Sequence, residues 1–148
     1  MRDRSPIQSA AMLVGLVFLV VGILGFIPGI TTNYDDLKFA GHDSDAQLLG
    51  LFDTSILHNI VHLIFGVAGL TLARTIEGAR TYLLGGGVIY LALFVYGAIW
   101  GADEGGANFI PMNWADNILH LALGAGMVLI GVALGREVVR RDTAAPAV

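Results

Sequence analysis

The sequence predicts an all-α integral membrane protein: a four-transmembrane-helix bundle built from two parallel-repeat helical hairpins, with both termini cytoplasmic. Three observations predict it. Four apolar windows each approach the roughly 20 residues that cross a bilayer core as a helix. A passage around a histidine occurs twice, Asn59-Ile60-Val61-His62-Leu63-Ile64-Phe65-Gly66 returning 58 positions later as Asn117-Ile118-Leu119-His120-Leu121-Ala122-Leu123-Gly124. Seven of the eight Lys and Arg residues fall on one side of the windows. Composition agrees, with 55% hydrophobic and only 14% charged residues, against roughly 25% charged in soluble domains. At 148 residues the chain reads as a single transmembrane domain. It has no basic stripe, which argues against nucleic acid as a partner. With no cysteine, disulfides, thiolate metal sites and thiol catalysis are excluded.

Span 1 is expected over about 6–27. Ser5 is a plausible N-cap with Pro6 at the first helical position, and Pro28-Gly29 stops the helix. Arg2 and Arg4 ahead of an apolar run resemble a secretory leader. The run is longer than a leader's apolar core, however, and no A-x-A-like site follows, so a retained helix is expected. The outer segment 29–54 is long for a helix connection. Within it, 48–52 is apolar enough to lie along the membrane surface or on the bundle mouth. Span 2 is expected over about 56–73, short but ending at Arg74, which can snorkel. Span 3 is expected over about 82–100 and span 4 over about 114–135, joined by a second outer loop, 101–113. Residues 142–148 read as a frayed tail.

Orientation follows from the cations. Arg2 and Arg4 precede span 1, Arg74 and Arg80 separate spans 2 and 3, and Arg136, Arg140 and Arg141 follow span 4. Only Lys38 lies opposite. The outer side carries the acidic residues Asp35, Asp36, Asp43, Asp45, Asp53, Asp103 and Glu104, and Trp100 and Trp114 flank the second outer loop as an interfacial belt would.

The duplication extends into spans 1 and 3, which align at an offset of 72: Gly15 with Gly87, Phe18 with Tyr90, Leu19 with Leu91, Gly25 with Gly97, Gly29 with Gly101. Both halves start and end on one side, so the repeat is parallel rather than inverted, and alternating access is not suggested. Small-residue patterns predict close helix packing at Gly25 and Gly29, Gly97 and Gly101, Gly131 and Gly135, with Gly66, Gly69 and Gly124 beside the histidines. Gly85-Gly86-Gly87 reads as close packing or a turn, not an anion cradle.

Ser55 and Asn113 are equivalent and both make good N-caps. His62 and His120 then lie seven residues into their helices, roughly 10 Å from the outer ends. Asn59 and His62 share a face, as do Asn117 and His120. His58 stands one turn before His62, and Asp116 is its counterpart before His120. Three readings compete. In the first, His62 and His120 are neutral and hydrogen-bonded across helices, with Asn59 and Asn117 as their partners or as donors to loop carbonyls. In the second they ligate a metal or a b-type haem (haem b) between two helices. In the third, His58, His62, Asp116 and His120 gather near the bundle mouth as a cation or proton site, with Asp53, Asp103 and Glu104 adding oxygen ligands. His42, in the outer loop, receives no role. Serine is scarce, and no Gly-x-Ser-x-Gly, phosphate loop or His-Glu-x-x-His is present.

Leu57-His58-Asn59-Ile60-Val61-His62-Leu63, then Gly66-Val67-Ala68-Gly69-Leu70, and Asp116-Asn117-x-x-His120-Leu121 resemble the bacterial membrane proteins catalogued as domain-of-unknown-function family 4383. The likeness runs from span 1 to span 4. It implies a small four-helix protein of the bacterial inner membrane and brings no activity, substrate or cofactor. The expectation is a non-enzymatic structural or accessory protein without cofactor, in contact with the lipid bilayer and with other membrane-protein subunits. The alternative is a haem- or metal-binding protein using His62 and His120.

Overall fold

The computed structural model describes residues 4–41, 43–100 and 110–144, with 136–144 traced by the backbone alone. Four helices dominate it: α1 (Pro6–Leu24), α2 (Ile56–Leu72), α3 (Ile76–Trp100) and α4 (Trp114–Ala144). Three of them are long and apolar enough to cross a membrane, and α2 is a shorter apolar helix. The outer segment between α1 and α2, expected only as a loop, folds into a small antiparallel sheet of β1 (Thr31–Thr32), β2 (Gln47–Leu48) and β3 (Phe52–Asp53), in that order.

The helix ends differ from the expected windows for local reasons. Residues 25–27 do not continue α1, because Phe26 and Ile27 donate three residues back, to Ile23 and Leu24, the tightened geometry of a closing turn. Helix α3 starts at Ile76 rather than 82. Thr75 Oγ1 accepts from Gly78 N at 3.0 Å, and Glu77 in the first turn suits the positive helix end. Helix α4 runs past 135 to Ala144, because the window marks only its apolar part and no helix breaker follows at once. The tail expected from 142 is thus helical as far as Ala144. Arg2, His42, Gly101, Asp103, Glu104 and the end of that tail lie outside the described residues.

Helix α1 packs chiefly on α2, and α3 on α4. Both pairs rest on backbone contact at glycine. A Cβ on Gly66 would meet Leu19 and the Gly15 carbonyl; one on Gly124 would meet Leu91 and the Gly87 carbonyl, at 2.8 and 3.0 Å. These partners correspond at the offsets of 72 and 58. Gly69 lies against Gly15 and Tyr82, Gly131 against Leu83 and Leu84, and Gly135 against Arg80. Gly25 and Gly97 make room for the amides of Asn59 and Asn117. Gly29 is a correction: it sits in a turn at φ +90° with nothing near its missing side chain. The small-x-x-x-small pattern presumes a helix that has already ended. Gly86 and Gly87 are helical and closely packed, as expected of close packing rather than a turn.

At the end opposite the sheet, Gln8 Nε2 donates to the carbonyls of Ala73 and Arg74 at 3.1 and 2.9 Å. It thereby satisfies acceptors that the end of α2 leaves open. The two hairpins meet where Phe18 of α1 touches Tyr90 of α3, ring centroids 5.1 Å apart. Large aliphatic side chains, among them Leu13, Ile64, Val88 and Leu129, point outward.

A Gly124→Ala substitution should destabilise the bundle by about 1–3 kcal/mol, as overpacking does. Gly126→Ala, with nothing within 4 Å of its Cβ, should be neutral or stabilising by up to about 1 kcal/mol. Thermal unfolding of the two variants in detergent, followed by circular dichroism, measures the contrast.

Candidate functional site

The buried polar residues concentrate at the outer ends of α2 and α4, beneath the sheet. Most of them fasten that sheet down. Ser55 caps α2, its Oγ accepting from His58 N at 3.1 Å. Asn113 and Asp116 form a reciprocal cap on α4: Asp116 N donates to Asn113 Oδ1 (3.0 Å) and Asn113 N donates to Asp116 Oδ2 (3.1 Å). The same Asp116 oxygen accepts from Asp53 N of β3 at 2.9 Å, and Asn113 Nδ2 donates to the Leu51 carbonyl at 2.7 Å. Thr54 Oγ1 donates to Asn59 Oδ1 at 2.7 Å. Thr31 Oγ1 of β1 reaches the carbonyls of Leu24 and Gly25, both at 3.2 Å. The sheet is therefore tied to α1, α2 and α4.

Asn59 and Asn117 do not partner the histidines. Asn59 binds Thr54. Asn117, with its amide oriented to satisfy its neighbours, donates to Phe94 O at 2.9 Å and accepts from Ala98 N at 3.2 Å. It bridges successive turns of α3. This corrects the reading in which the two amides hydrogen-bond the imidazoles. Asn59 is turned to the Thr54 hydroxyl and leaves its Nδ2 without a partner, while Asn117 spends its amide on the α3 backbone.

The histidines sit among aromatic rings instead. His62 lies 5.5 Å from Phe18, and His120 lies 5.3 Å from Tyr90. With the Phe18–Tyr90 contact these four side chains, one per helix, form a continuous layer. His58 stacks edge-on against His62 at 4.5 Å. The Nδ1 atoms of His58, His62 and His120 are buried and have no hydrogen-bond partner. Above this layer lie two cavities of about 170 Å³ each, both lined by His58, His62, Tyr90 and His120. One runs out between α1 and α4 past Val21 and Leu119, the other between α2 and α3 past Leu93 and Val61. Leu48, Phe52 and Asp53 of the sheet, together with Asp116, line the first.

The structure thus brings together His58, His62, His120, Asp116 and Asp53, as the bundle-mouth reading expected. Among the described residues, however, no group of three His, Cys, Asp or Glu side chains is placed to hold a metal ion. Asp116 is occupied as a cap and as a tie to the sheet. A haem does not fit between His62 and His120 as they stand. Phe18 and Tyr90 lie in contact between the two hairpins, and each cavity is well below the roughly 300–1,000 Å³ typical of small-molecule and cofactor sites. Sequence reasoning missed Phe18 and Tyr90 as ring partners, although it aligned them, and missed Thr31 and Thr54 as ties. The position of the two threonines, within or just after strands of two residues, carried no local signal.

Helices with apolar outer faces, packed on glycine and enclosing a histidine-lined chamber, define a small helical membrane protein. The chain belongs to the family described as Domain of unknown function (DUF4383), which matches residues 8–133. No curated protein and no solved structure matches it.

Replacing Asp116 by Ala should leave the amides of Asp53 and Asn113 without their acceptor, at a cost of about 1–3 kcal/mol. Hydrogen exchange should then speed up at 47–55 more than in α1 or α3. Equal protection in the two proteins would remove Asp116 as the tie.

Proposed function

We propose that the chain is a non-enzymatic integral membrane protein that crosses a bacterial inner membrane four times. In this reading it serves as an accessory unit beside larger membrane proteins and has no resident cofactor. The observation that carries this reading is the outward surface. Only 22% to 28% of each long apolar window is buried inside the chain, so most of it is left for lipid or a neighbouring subunit. The packing glycines are largely turned inward. A partner would therefore meet the large aliphatic side chains of the outer faces.

Helix α2, with 17 residues, is about 25 Å long. That is slightly short of the roughly 30 Å hydrocarbon core. Arg74 at its end extends the reach by snorkelling, which supports a fourth crossing. Arg4, Arg74 and Arg80 belong to the end where α1 begins, α2 ends and α3 begins. By the positive-inside rule that end, with both termini, is cytoplasmic. The matched glycine, asparagine and ring contacts of the two hairpins support their reading as copies of one unit.

Three measurements test this. Phe39→Cys should react with an impermeant maleimide on intact spheroplasts and Arg4→Cys only after permeabilisation; the reverse would invert the topology. Cross-linking in the native membrane followed by mild extraction should recover the chain in a larger assembly. A lone monomer, with every membrane assembly intact after deletion, would end the accessory reading. Protein expressed with ample haem should show no Soret band, and a band abolished by His120→Ala would overturn the absence of a cofactor.

A further inference from the structure

Three imidazoles in apolar surroundings have Nδ1 atoms that find no partner, and Asn59 Nδ2 beside them is likewise unpartnered, whereas Thr54, Asp116 and Asn117 at the same level are tied. A neutral imidazole carries one donor and one acceptor, and hydrocarbon satisfies neither. The rings line cavities whose walls are otherwise mostly apolar, Phe18, Leu123 and Leu119 among them. Each cavity holds about 170 Å³, close to the roughly 150 Å³ of an apolar cavity that takes up benzene.

We propose that this chamber binds a lipid-soluble phenol, its single ring between the apolar walls and its hydroxyl against the imidazoles of His62 and His120. Size selects one ring. A hydroxyl both donates and accepts, so it serves an imidazole in either tautomer. The ligand is neutral: among the described residues no Lys or Arg lines either cavity. The nearby carboxylates are also engaged, Asp53 Oδ1 with Gln47 Nε2 at 2.9 Å and Asp116 Oδ2 with two backbone amides. Its route is through the bilayer. Val17, at 48% exposure, and Leu119, at 36%, line one cavity and also reach the outer surface; Val61, at 39%, does so for the other. Leu48 and Phe52 stand on the opposite, sheet-covered side.

The test uses the full chain in nanodiscs with ¹⁵N-labelled histidine, titrated with 4-methylphenol and, separately, with toluene. The imidazole nitrogen resonances of His62 and His120 should move along a saturable curve with 4-methylphenol and stay in place with toluene at the same membrane concentration. His62→Phe should weaken the binding seen at His120 about tenfold, the loss of one hydrogen bond. Leu119→Trp, which fills the α1–α4 crevice, should reduce it further. An equal response to toluene, a shift that never saturates, or no shift would each overturn the proposal. All three are measured on the unmodified protein, so they hold whether or not either variant folds.

Discussion

Hydrocarbon offers no hydrogen bonds, so a polar side chain below the outer helix ends must find its partner inside the chain. Thr31, Thr54, Asp116 and Asn117 meet that demand, Asn59 meets it through Oδ1 alone, and the way they do so shapes the outer half of the molecule. A sheet with strands of only two residues has almost no stability of its own. It persists because three helices supply its missing acceptors and donors. The same constraint sets the histidines apart, since His58, His62 and His120 each leave Nδ1 unpaired, with Asn59 Nδ2 unpaired beside them.

The helices were legible because their signals are local. Apolar windows, Ser55 and Asn113 as caps, and the recurring Asn-x-x-His passage located four helices and brought His58, His62, His120 and Asp116 to one place. What was not legible depends on contacts between distant segments. Asp116 could be aligned with His58, but nothing nearby reveals that its carboxylate reaches the amide of Asp53. Strands of two residues are too short to show alternation, so β1 to β3 read as loop. Gly29 misled for the opposite reason, because its spacing from Gly25 fits a packing pattern whose helix stops at Leu24. Phe18 and Tyr90 were matched by offset, yet that two matched residues touch each other is a property of how the hairpins dock.

That docking relates the packing to the chamber. Within each hairpin, glycine lets two backbones approach closely, and the gain is dispersion contact spread over many atoms. Between hairpins the contacts are chiefly aromatic: Phe18 and Phe65 against Tyr90, and Phe65 and Gly69 against Tyr82, with two imidazoles beside them. The tight seams lie inside each pair of helices and the looser spaces lie between pairs. Both cavities occur there, one between α1 and α4 and the other between α2 and α3.

The sheet belongs to the first hairpin by sequence, but Asp116 and Asn113, which hold its β3 edge, belong to the second. Neither hairpin alone therefore carries both the cover and its latch. The vestibule around the histidines has a finished roof only where the two hairpins are docked together.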